Sequence, residues 1–72
     1  MNEAMIKEAL EDEYPDAAID VHLDGSHSQV TVISNVFEGL RPVARQQRVY
    51  APLGEFIRSG ALHAVNINAK TP

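Results

Sequence analysis

Cysteine and tryptophan are absent from this chain. Without cysteine there is no disulfide, no thiolate metal site of the chain's own and no cysteine nucleophile. No apolar run is longer than three residues, and the N-terminal segment carries acids where a secretory leader carries bases. A membrane span and a signal peptide are therefore not expected, and a reducing, cytoplasmic setting is the default. The four glycines form no phosphate-cradling loop, and no serine elbow or inward pair of carboxylates accompanies the three histidines. An enzyme is not expected from such a set.

What is present is the composition of a small globular unit. Of 72 residues, 44% are apolar, too many for a disordered tail and enough for one thin-cored domain spanning 1–72. The net charge of −4 is unevenly placed. Residues 1–24 hold eight carboxylates against Lys7, a local −7, whereas residues 25–72 hold five bases against Glu38 and Glu55, a local +3. The acidic whole disfavours a general polyanion binder, while the second part leaves room for a local basic patch.

Hydrophobic spacing sets out the elements. Met5, Ile6, Ala9 and Leu10 follow one face of a helix over roughly 2–13, with Asn2 able to cap its start and Pro15 ending it. Ile19, Val21 and Leu23 alternate with Asp20 and His22, a half-buried strand over 18–23. Val30 and Val32 alternate with Gln29 and Thr31 in a second strand over 28–34, after the turn signal Asp24-Gly25. A four-residue loop from Asp24 to His27 pairs Val21 with Val30 and Ile19 with Val32. That register buries more apolar cross-strand pairs than a shorter loop would, and it places His27 in the loop. Residues 35–40 read as a short turn or a single helical turn ended by Gly39, and Pro42 suits the first turn of a longer helix. Val43, Tyr50 and Ile57 lie seven apart, with Gln46, Gln47 and Leu53 between them, and mark an apolar seam interrupted by amides. Pro52 is expected to kink or split this helix near Ala51, and Ser59-Gly60 to end it. Residues 62–68 alternate once more, with Val65 and Ile67 on one face.

The expected fold is α/β, an α+β sandwich in the order α-β-β-α-α-β, with a three-stranded mixed sheet and helices on one face. A helical crossover joins the second strand to the third, which makes them parallel if they share a sheet. Parallel strands start at the same end. His27 opens the second strand and His63 the third, so both imidazoles are expected at one end, ~5 Å apart if the strands are neighbours.

Several motifs in order, Asp24-Gly25-Ser26-His27, Phe37-Glu38-Gly39, the run Val43 to Tyr50, Leu62-His63-Ala64-Val65 and Thr71-Pro72, resemble the BolA family over Val21 to Pro72. The hairpin wording looks like the branch with a histidine in the first hairpin loop, and Ser28 stands where many relatives carry an aromatic residue. The resemblance implies a type II KH-like fold and a partnership with monothiol glutaredoxins of the CGFS type. It implies a shared [2Fe–2S] cluster with one glutaredoxin cysteine and one glutathione thiol on the partner's side. On this side it implies His63 as a metal ligand, with His27 as the second. It further implies roles in cluster trafficking, iron homeostasis and stress response, and in some members DNA-binding regulation.

The residues agree with shared ligation. A [2Fe–2S] centre needs four ligands, and a chain with no thiol cannot hold one by itself, so no cofactor is expected in the isolated chain. His22 lies opposite the apolar face of its strand and is not assigned. Arg41, Arg45 and Arg48 fall on one stripe of the long helix and form the candidate surface for a partner or for nucleic acid. DNA is the alternative partner, yet a KH domain clamps the nucleic-acid backbone with a GXXG loop, which this chain lacks. Alone, the chain is expected to be a monomer or a weak homodimer formed through an exposed edge strand.

Overall fold

The computed structural model describes residues 3–25, 27–62 and 64–72; Asn2, expected to cap the first helix, and His63 lie outside them. Its elements are α1 (Glu3–Glu13), β1 (Ala18–Asp24), β2 (His27–Ile33), a one-turn 3-10 helix (Asn35–Phe37), α2 (Pro42–Arg58) and β3 (Ala64–Lys70). The expected order holds, and the turn expected within 35–40 is the 3-10 turn Asn35–Phe37. The sheet runs β1-β2-β3, antiparallel between β1 and β2 and parallel between β2 and β3. It is the mixed three-stranded sheet that the helical crossover demands.

The hairpin register follows the apolar pairs: Val21 faces Val30 and Ile19 faces Val32. The ladder runs further than expected, to Asp24 opposite His27, so His27 is the first residue of β2 rather than a loop residue. Gly25 turns the chain at φ +63°, a conformation in which a Cβ is strained. Ser28, Val30 and Val32 point into the core, while His27 and Gln29 lie exposed on the opposite face. Both helices therefore cover one face of the sheet and leave the other open.

The core consists of Ile6 and Leu10 from α1, Val30 and Val32 from β2, Phe37, Val49 and Leu53 from α2, and Leu62. Of the seam expected on α2, only Leu53 is buried. Val43, Tyr50 and Ile57 are 68%, 38% and 37% exposed; the face that packs inward is Val49 and Leu53, an i,i+4 pair, with Phe56 half-buried beside them. A seven-residue spacing identifies a face but does not say which way it points. Here the Tyr50 hydroxyl reaches the Val65 carbonyl at 3.4 Å, which places that face along the rim of the sheet instead of beneath it. The third strand begins two residues later than its alternation suggests, because Leu62 is drawn into the core and its N–H donates to the Phe56 carbonyl at 3.1 Å.

Pro52 does not split the helix: α2 runs unbroken from Pro42 to Arg58. Proline at position 52 leaves the carbonyl of Arg48 without its i+4 donor. The Tyr14 hydroxyl, arriving from the end of α1, donates to that carbonyl at 2.6 Å. The Tyr14 ring also packs against Phe37, centroids 5.9 Å apart and planes tilted by 55°. Burial pushes the Tyr14 hydroxyl pKa up; the Glu13 carboxylate adds to the rise and the Arg48 guanidinium opposes it. At the outer edge of β1, the Leu23 N–H donates to Glu3 Oε2 at 2.8 Å, so the start of α1 caps part of that strand edge.

Candidate functional site

The open face of the sheet is polar because strand alternation sends every core side chain the other way. Two cross-strand rows stand at its hairpin end. Asp24, His27 and Ala64 lie side by side, as do His22, Gln29 and Asn66. Together with Ser28, the five polar side chains of these rows line a cleft of about 380 Å³. His27 is exposed at its rim. Because β2 and β3 are parallel and His27 faces Ala64, His27 stands at the end where both strands start, as the crossover predicts. Its expected companion, His63, lies outside the described residues, so the structure places only one imidazole of the pair.

His22 was not assigned from sequence, yet it shares the cleft with His27. Its Nδ1 lies 3.8 Å from Glu3 Oε2, and its side chain is 75% exposed. The signal was available in the register: a residue two before Asp24 falls on the same face as Asp24. Among the described residues, no three His, Asp or Glu side chains come together in a way that could hold a metal ion. What the cleft offers is an exposed imidazole donor with amide and carboxylate neighbours, a surface able to complete a ligand set begun elsewhere.

Ser28 carries an unmatched polar group. It is 1% exposed, and its Oγ has no hydrogen-bond partner among the described residues. A buried hydroxyl left in this state costs ~1–3 kcal/mol. Sequence alternation marks Ser28 as inward-facing but gives no means of seeing that its hydroxyl is unmatched.

The three arginines occupy different surroundings. Arg41 is the exposed residue that precedes Pro42 at the start of α2. Arg45 is half-buried and turns its guanidinium inward, Nε to the Leu40 carbonyl at 2.9 Å and Nη1 to the Ala69 carbonyl at 3.4 Å. Arg48 is exposed and carries its charge beside Tyr14. The stripe thus divides into one arginine tying α2 to β3 and two presented to solvent.

No helix among the described residues is long and apolar enough to cross a membrane. The family model for BolA-like proteins matches residues 9–72. A protein from the rpoN-murA intergenic region of Acinetobacter guillouiae is 45% identical over 71 residues, covering 99% of this chain and 86% of that one. Acid stress protein IbaG of Escherichia coli is 47% identical over 55 residues, covering 74% of this chain and 66% of IbaG. Among solved structures, BolA1 from Arabidopsis thaliana superposes with a TM-score of 0.86 at 31% identity, covering 100% of this chain and 94% of that one. The BolA domain of SufE1 from Arabidopsis thaliana superposes at 0.84 and 32% identity, covering 97% and 91%. The sheet order, the parallel pairing that sets His27 at the sheet's end and these likenesses converge, and the chain belongs to the BolA-like family.

Proposed function

We propose that this chain is an adaptor that lends histidine ligands to a [2Fe–2S] cluster shared with a monothiol glutaredoxin and glutathione, and that the cluster is its cargo in iron–sulfur trafficking. The observation that carries the reading is His27, exposed at the end of the sheet where β2 and β3 both begin. His63 immediately precedes β3 in sequence and is proposed as the second ligand. The donor set fits one side of a shared centre. Imidazole is an established ligand at one iron of such clusters, and the two thiolates needed to reach four ligands have to come from outside a chain with no cysteine. With no thiolate of its own, the chain passes the cluster on or withholds it and catalyses no reaction on it. The names of the relatives support the setting: IbaG is an acid stress protein, and SufE1 carries a domain of this fold.

The test is reconstitution with a CGFS glutaredoxin, glutathione, iron and sulfide, followed by visible circular dichroism. The expected result is a new spectrum on adding this chain, lost with His63→Ala and more labile with His27→Ala, while far-ultraviolet spectra stay unchanged. An identical visible spectrum for the His63 variant would overturn the assignment.

A second reading, a DNA-binding regulator, draws support from the solvent-facing Arg41 and Arg48. It requires a duplex complex whose affinity falls steeply with salt and with Arg48→Ala. Absence of binding at low salt removes it.

A further inference from the structure

β3 is an edge strand, bonded to β2 on one side only. The Lys70 carbonyl accepts from the Ser34 N–H that continues β2, at 2.9 Å. Alternation therefore turns the backbone groups of Val65, Ile67 and Ala69 outward. Two of those carbonyls are met by side chains of α2: Tyr50 Oη donates to Val65 and Arg45 Nη1 to Ala69, each at 3.4 Å. Both contacts are longer than the 2.7–3.2 Å of a normal hydrogen bond. Ile67 lies between them, and among the described residues its outward N–H and carbonyl have no partner.

The facing wall is the side of α2 that carries Pro42, Gln46 and Tyr50, the last exposed in spite of being aromatic. Between wall and strand lies a groove of about 150 Å³ lined by Pro42, Arg45, Gln46, Ile67, Asn68 and Ala69. A free strand edge beside a helix is the arrangement into which an extended peptide adds as a further strand. Main-chain bonds then supply affinity, and alternate side chains enter the groove. Charge narrows the occupant. Arg41 precedes Pro42, Arg45 reaches Ala69, and Lys70 follows Ala69, whereas Glu38 and Glu55 are the only carboxylates after Asp24. We propose that the groove between the β3 edge and α2 docks an extended segment of a partner protein bearing carboxylates at one end, which pairs with Ile67 as a fourth strand. A nucleic acid suits the groove less well. Its recognition elements are a peptide-spaced donor and acceptor, and its cations are too few to track a phosphate backbone.

The probe is an extended heptapeptide alternating valine and threonine, prepared with glutamates at one end, with lysines there instead, and with its central amides N-methylated. Each is titrated into the full chain labelled with nitrogen-15, up to about 1 mM, which half-saturates even a weak site of that Kd. The expected result is movement of the Val65, Ile67 and Ala69 amide signals and slowed exchange of the Ile67 amide with the glutamate peptide. The lysine peptide binds more weakly and the N-methylated one not at all. Arg41→Glu, at an exposed position, weakens the glutamate peptide by about 5-fold, the size of one surface ion pair. Ile67→Pro removes the outward donor and abolishes binding; proline is tolerated on edge strands, and Arg41→Glu keeps the test independent of that variant's folding. The proposal is overturned if the three amides stay still at the highest concentration, or if only signals of the open sheet face move. It is also overturned if a single-stranded oligodeoxynucleotide moves these amides and the peptides do not.

Discussion

The Tyr14 hydroxyl donates over 2.6 Å to the carbonyl of Arg48, the carbonyl that Pro52 leaves without a helical partner. One side chain at the end of α1 thus replaces a main-chain bond in the middle of α2 and ties the two helices at the point where the longer one is weakest. Tyr14→Phe is expected to cost about 1 kcal/mol, a fall in Tm of ~4–8 °C for a domain of this size. In a Pro52→Ala background position 52 has its N–H again, and the same substitution should cost markedly less. A thermal double-mutant cycle measures the difference; equal costs in both backgrounds would separate the tyrosine from the proline.

The same hydroxyl has a signature in pH. Its pKa is raised on folding, so the folded chain holds this proton more tightly than the unfolded one. Below the ordinary tyrosine value of about 10, both states keep the proton and the contribution to stability is complete. As pH rises past it, the unfolded chain ionises first and stability falls until the folded hydroxyl also ionises. Urea midpoints measured between neutral and strongly alkaline pH should show this loss in the native chain and a smaller one in Tyr14→Phe.

Ser28 makes an opposite prediction. Removing an unmatched buried hydroxyl relieves its desolvation cost, so Ser28→Ala is expected to stabilise the fold by about 1 kcal/mol. Urea denaturation reads the change; a loss of stability of that size would mean that the hydroxyl has a partner in solution.

The two faces of α2 should respond unequally. Leu53→Ala, in the core, is expected to cost ~2–5 kcal/mol, whereas Val43→Ala, 68% exposed, should change stability by no more than about 0.5 kcal/mol. Similar costs would return Val43 to the core seam that its spacing suggests.

His27→Ala should likewise leave the unfolding midpoint within about 0.5 kcal/mol of the parent, since the side chain is exposed, while the mixed cluster of the proposed adaptor decays faster. A large loss of stability would make His27 a structural residue first.

The strands were legible because their information is local. Ile19 and Val21 have apolar partners at one register only, and that register is the one observed. The crossover from β2 to β3 forces parallel pairing, and from it the place of His27 at the sheet's end could be derived. Where reading failed, the cause was distant in the chain. The donor that lets α2 continue through Pro52 is Tyr14, 34 residues before the carbonyl it serves, and no helical rule applied to α2 alone contains it. The seam through Val43, Tyr50 and Ile57 is a true periodicity, but Val49 and Leu53 repeat as well. Choosing between them needs the position of the sheet rim that Tyr50 touches. In the candidate site, His27 was found through its motif, whereas His22 joined it only once the hairpin register put both in one cleft.

The two rims of the sheet are finished differently, and this bears on which of them can take up a further strand. Head-to-tail addition of sheets, the β3 rim of one copy against the β1 rim of the next, would repeat without closing and grow a filament. On the β1 rim the Leu23 N–H is already taken by Glu3 Oε2, and the carboxylate stands where an incoming strand would bring its own carbonyls. A negative charge placed on a strand edge is a recognised guard against such growth. Glu3 therefore occupies a main-chain donor that a strand adding to the β1 rim would need, while the β3 rim stays open.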